Sequence, residues 1–139
     1  MTLARLQPAA LSLLRIVAGI CFLEHGTAKL FGFPPVAQFL HGHLPPLEVA
    51  AGILETFGGA LVFLGWFTRP AAFLLSGEMA IGYFMAHAPR SVFPALNGGD
   101  AAILYCFIFL YLAVAGGGVF SLDRLLGSRR QMFGRRAAA

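Results

Sequence analysis

Four apolar runs, each about as long as a bilayer is thick, constrain this chain more than any other feature. They cover residues 8–31, 47–67, 71–88 and 101–120. A helix needs about 20 apolar residues to cross about 30 Å of hydrocarbon. Clear punctuation separates the runs: "GFPP" and "HLPP" bracket the first loop, "TRP" makes a very short second one, and "APRSVFPALNGGD" makes the third. Pro46, Pro70 and Asp100 stand where a helix start favours a proline or a capping carboxylate. Three glycines at 116–118 close the last run. Charge then decides between a membrane and a soluble core. Only 12% of the 139 residues are charged and 58% are apolar, too few charges to cover a soluble domain of this size. The expected fold is all-α, an integral membrane four-helix antiparallel bundle over residues 1–124, followed by a basic tail at 125–139. The first run is long, and charged rather than small residues follow it, so it reads as a span and not a cleaved signal peptide.

Orientation follows from lysine and arginine. Arg5, Arg69 and the five arginines 124, 129, 130, 135 and 136 fall on one side of a four-span topology. Arg90 falls on the other, with Lys29 near its boundary. The positive-inside bias places both termini in the cytoplasm of a bacterial-type inner membrane. The tail arginines are also suited to anionic lipid heads, so the net charge of +4 points to membrane lipids and not to nucleic acid. The loop after the first span has room for a short interfacial helix around residues 36–40.

Charged groups inside a span face the bundle interior, pair, or meet water. At about 100° per residue, Arg15, Gly19, Phe22, Gly26 and Lys29 form one stripe of the first helix. Glu48, Gly52, Glu55 and Gly59 form a stripe of the second, and Leu74, Glu78, Gly82 and Met85 one of the third. Glycines on the same faces let helices approach closely. At about 1.5 Å per residue, Arg15 lies about 10 Å from the cytoplasmic edge, Glu78 about 11 Å and Glu55 about 18 Å. Arg15, Glu55 and Glu78 are therefore expected to meet as a buried ion-pair group. One arginine cannot neutralise two carboxylates. The group reads either as a structural pair that fixes packing or as a proton-carrying or ligand-polarising site.

A second group gathers near the outer edge: His25, Lys29, Glu48 and His87, with Asn97 and Asp100 in the adjoining loop. His25 and Lys29 are four apart and share a face, with Gly26 beside them leaving room for a ligand. Glu48 begins the next helix at the same level. A cation, an imidazole and an acid make a candidate quinone or small-anion pocket, or a knit between helix ends. His87 is nine residues from Glu78, on the opposite face, so only a helix end or a bend brings it to that site. His41 and His43 are too weak a pair to make a metal site, and no CxxC is present. Cys21 and Cys106 read as small buried thiols.

"LLRIVAGICFLEHGTAKLFGF", with its Arg15, Gly19, His25, Gly26 and Lys29, resembles the opening of the DoxX family of small four-helix membrane proteins, the DoxD-like group. "LEVAAGILETFGGALVFLGWFTRPAA" is similar to that family's second helix and following turn. "NGGDAAILYCFIFLYLAVAGGGVFSLD" is similar to its fourth helix and closing Ser-Leu-Asp. The third helix fits more loosely. The resemblance implies the fold and an association with quinone- or thiol-linked redox complexes, including a membrane subunit type of thiosulfate:quinone oxidoreductase. Three functions stay open. The first is a membrane subunit or anchor that binds quinone or docks a soluble oxidoreductase; no haem, flavin or iron–sulfur motif is present, so its electrons come from that partner. The second is a non-enzymatic scaffold or assembly protein. The third is a small proton-coupled carrier, which the lack of repeats and broken helices disfavours. A second copy of the chain is a further candidate partner.

Overall fold

Prolines and glycines set the ends of the long helices. In the computed structural model, which describes residues 3–40 and 42–128, a single 3₁₀ turn at Leu3–Leu6 leads into helix α1, Gln7–Phe31. Pro8 sits in the first turn of α1, where its missing N–H removes no helical bond. Gly32 ends α1 in the left-handed region at φ 65°, and its N–H reaches back to the Ala28 carbonyl at 3.1 Å. A one-turn helix α2, Ala37–Leu40, occupies the expected interfacial position. Helix α3, Pro46–Leu64, opens on its proline and closes on Gly65 at φ 68°. Helix α4, Thr68–Gly82, continues as one turn of π-helix at Tyr83–His87. The short α5, Pro94–Asn97, precedes α6, Asp100–Ala115, and residues 122–128 are helical again.

Three span boundaries move. Gly65 stops α3 before the expected end at 67. "TRP" is the first turn of α4 and not a loop, because Pro70 is tolerated where the N–H has no helical partner. The connection is instead 65–67, with Phe67 at φ 50°. Helix α6 stops at Ala115, ahead of the glycines, and not at 120. The tail beyond 128 and His41 lie outside the described residues.

Glycines set how the helices meet. A Cβ on Gly19 would stand 2.5 Å from the Phe63 backbone nitrogen, and one on Gly59 would stand 2.8 Å from that of Leu23. A Cβ on Gly26 would land on Thr56. So α1 and α3 lie backbone to backbone, in an antiparallel register that pairs 19 with 63, 23 with 59 and 26 with 56. Helices α4 and α6 form a second antiparallel pair: Ser76 Oγ donates to the Cys106 carbonyl at 2.8 Å, and Arg69 reaches the Val114 carbonyl. Helix α3 packs on α4, and α1 touches α6 lightly. Phe22, Val62, Leu75, Phe109 and Leu112 fill the space where the pairs meet. Phe22 sets its ring edge-on to Phe109 at 4.8 Å between centroids.

The remaining apolar side chains point outward. Phe57, Phe73, Phe107 and Val114 are each more than 60% exposed among the described residues. So large an uncovered apolar surface is the mark of an interaction with another apolar phase. The 3–31 and 46–64 segments are long and apolar enough to cross a membrane; α6 is apolar but shorter. No strand occurs among the described residues.

Candidate functional site

The register of α1 on α3 brings Lys29 alongside Gly52, where a Cβ would stand 3.2 Å from the lysine Cβ. Glu48 and Glu55 flank that glycine, two turns apart on one face of α3. The lysine lies between them. Its Nζ donates to Glu55 Oε1 at 2.8 Å and lies 3.3 Å from Glu48 Oε2. The Phe39 ring of α2 covers the ammonium at 5.7 Å from its centroid, a cation–π distance. Exposure grades across the group: the Glu48 side chain is 44% exposed, Lys29 12% and Glu55 4%. Lys29 thus joins an acid that meets the surroundings to one that does not.

The inner side of this cluster is incompletely satisfied. Glu55 Oε2 and both carboxylate oxygens of Glu78 are buried and have no hydrogen-bond partner among the described residues. Glu78 comes from α4, the helix packed on α3. Buried polar atoms are nearly always partnered, so the orphaned oxygen of Glu55 beside Lys29 and the two of Glu78 on α4 mark places that accept something more. His25 stands one turn before Lys29. Its Nδ1 bonds the Cys21 carbonyl of its own helix at 2.8 Å, and its ring lies against Phe22 and Tyr105. It is exposed.

Two of the expected groupings change. Arg15 does not pair with Glu55 or Glu78. Its guanidinium is 1% exposed and donates to main-chain carbonyls: Gly117 at 2.9 Å, Val62 at 2.7 Å, Phe120 at 2.6 Å, and Phe63. It therefore ties C-terminal carbonyls of α3 to the loop after α6, a favourable place for a cation. The reason is register: Phe63 lies opposite Gly19, one turn beyond Arg15, whereas Glu55 is about two turns back along α3. His87 does not join Lys29 either. The π turn directs its Nδ1 to the Asn97 carbonyl at 3.0 Å, with the ring stacked on Tyr83. Asn97 is 2% exposed and holds this corner, donating to the Ser91 carbonyl at 2.8 Å and accepting from Gly99 N–H at 2.7 Å.

The sequence reading missed the Lys29–Glu55 pair and the role of Asp123. Asp123 accepts from the N–H groups of Phe67 at 2.8 Å and Thr68 at 2.9 Å, capping α4 from 55 residues away. A Ser-Leu-Asp after the last long helix carries no local sign of such a contact. The lysine pair had one: the glycine spacing on α1 and α3, read as an antiparallel contact, already sets Lys29 near residue 53. Cys21 and Cys106 are free and half-buried.

Comparison with known proteins gives a family. The DoxX family model matches residues 10–88. A protein of Haemophilus influenzae described as uncharacterized is 42% identical over 125 residues, covering 87% of this chain and 93% of that protein. Inner membrane protein YphA of Escherichia coli is 30% identical over 127 residues, covering 85% and 91%. Putative oxidoreductase CatD of Bacillus subtilis is 30% identical over 113 residues, covering 80% and 82%. No solved structure matches the chain.

Proposed function

The chain belongs to the DoxX family of membrane proteins, and from that membership we propose that it is a membrane subunit or anchor of a quinone- or thiol-linked redox complex in a bacterial inner membrane. In this reading the four long helices span the bilayer as an antiparallel bundle with both termini in the cytoplasm. Their outward faces are apolar, and Arg5, Arg69 and Arg124 lie toward one end.

The observation that carries the proposal is the Lys29 cluster. A lysine 12% exposed, an acid 4% exposed beside it and three buried carboxylate oxygens without partners stand inside an otherwise apolar chain. Ionisable groups at such a depth are functional candidates by default. The donor set fits a quinone headgroup. Lys29 offers N–H donors to a carbonyl oxygen, His25 stands one turn away, and Glu55 and Glu78 can hold or pass protons. A quinone bound there would supply a two-electron, two-proton acceptor. The chain's own residues position the carbonyl, exclude water behind Phe39 and relay protons toward Glu48, the exposed acid. A soluble oxidoreductase supplies the electrons; a relative named as a putative oxidoreductase supports that direction.

One observation favours a second reading. Lys29 already has two carboxylate acceptors, which suffices for a scaffold whose cluster only knits α1 to α3. Purification from native membranes, with extraction and quantification of bound quinone, separates the two. The redox reading expects near-stoichiometric quinone, lost in Lys29→Met and Glu78→Gln protein that still folds. Quinone at the level of bulk lipid in both wild type and variants would leave the scaffold.

A further inference from the structure

The end of the molecule opposite Lys29 carries a polar site that the redox reading leaves unused. A cavity of about 560 Å³ opens between the start of α4 and the loop after α6, lined by Thr68, Arg69, Gly116, Gly117, Asp123 and Arg124. Its acid is already engaged. Both Asp123 oxygens accept backbone N–H groups at the start of α4. Its two cations are not balanced. Among the described residues neither Arg69 nor Arg124 has a carboxylate at ion-pair distance; the ion pairs there both involve Lys29. Arg69 is held in place by donating Nη1 to the Val114 carbonyl at 2.6 Å, while its Nε and Nη2 lie beside Gly116, where no side chain intervenes.

A second, independent feature points to a ligand. Thr68 is fully buried, lines the cavity, and its hydroxyl has no hydrogen-bond partner among the described residues. A buried hydroxyl with nothing to bond is uncommon in a native interior. The cavity also continues into an apolar groove. A neighbouring space of about 430 Å³ shares Val119, Ser121 and Arg124 with it and is walled by Leu64, Phe120 and Leu125. Two unbalanced guanidinium groups and a free hydroxyl beside an apolar groove match a molecule with an anionic phosphate head and a hydrocarbon tail. We propose that this is a binding site for an anionic phospholipid, with the phosphate between Arg69, Arg124 and the Thr68 hydroxyl and an acyl chain along Leu64, Phe120 and Leu125. A soluble phosphate compound shares the headgroup chemistry but has no use for the groove.

Native mass spectrometry of the full chain in detergent tests the site, with dioleoylphosphatidylglycerol, dioleoylphosphatidylcholine and inorganic phosphate as probes. Phosphatidylglycerol should be retained over phosphatidylcholine. Arg124→Gln, which removes a side chain with no hydrogen bond or ion pair among the described residues, should weaken that retention about fivefold, the worth of one basic residue near an anionic surface. Thr68→Val keeps the shape and removes only the hydroxyl. It should also weaken retention while leaving the thermal melt of lipid-free protein unchanged or raised. Equal retention of the two lipids, or unchanged retention in both variants, overturns the proposal. Displacement of phosphatidylglycerol by millimolar inorganic phosphate, with equal stabilisation by either, reassigns the site to a soluble anion and overturns the lipid assignment.

Discussion

Replacing Arg15 by methionine removes one buried guanidinium and keeps most of its apolar stem. The guanidinium bonds the carbonyls of Val62, Phe63, Gly117 and Phe120. Hydrogen bonds to a charged group contribute about 1.5–3 kcal/mol each, so the four amount to roughly 6–12 kcal/mol gross. Removing the charge also removes its burial penalty, several kcal/mol. The expected net loss is about 3–5 kcal/mol, the range seen when one side of a buried charged contact is deleted. Trp66 reports on the event, since it is the chain's single tryptophan and adjoins Gly65, where a Cβ would stand 2.9 Å from the Arg15 guanidinium carbon. Equilibrium unfolding in mixed micelles, followed by that fluorescence, gives the number. A double-mutant cycle then identifies the partner. Arg15→Met and Glu55→Gln should add within about 0.5 kcal/mol, because they share no contact, whereas Lys29→Met and Glu55→Gln should couple by about 1–3 kcal/mol. Coupling above about 1 kcal/mol between Arg15 and Glu55, or a cost of Arg15→Met below about 1 kcal/mol, would refute the carbonyl clamp.

Asp123→Ala frees the N–H groups of Phe67 and Thr68 and should destabilise by about 1–2 kcal/mol, as loss of a helix cap does; hydrogen exchange at residues 67–71 should rise with it. Gly26→Leu puts a side chain onto Thr56 and should separate α1 from α3, costing at least about 3 kcal/mol, whereas Gly77→Leu, where a Cβ meets nothing, should cost under about 1 kcal/mol; similar melts for the two would disprove the close approach. Impermeant thiol labelling of single cysteines placed in the 34–46 loop and in the tail should modify only one of them from each side of the membrane; labelling of both from the same side rejects the antiparallel span assignment.

Much of the helical framework was legible because its signals are local. Pro8, Pro46 and Gly32 start or stop helices through the φ angles and N–H groups of their own residues. The displaced boundary at Thr68 arose where a local signal is ambiguous: a proline is as welcome in a helix's first turn as in the loop before it. Among the site residues, the reading placed Lys29 opposite Glu48, and the structure sets them 3.3 Å apart. It gave Glu55 to Arg15, whereas the structure gives it to Lys29. Depth along a helix axis follows from counting residues. Which residues of two helices touch depends on their rotation and register, which counting within one helix does not contain.

The sequence by itself determined an all-helical, apolar chain with ionisable groups on glycine-lined faces, because periodicity, composition and helix-end chemistry act over a few residues; its quoted motifs carried the resemblance to the DoxX family. Only the tertiary structure decided that Arg15 clamps carbonyls, that Lys29 bridges Glu48 and Glu55, that Asp123 caps a helix 55 residues away and that His87 turns to Asn97. Those partners are chosen by the packing of Gly19, Gly26 and Gly59 against the facing backbone, which fixes the register between segments far apart in the chain.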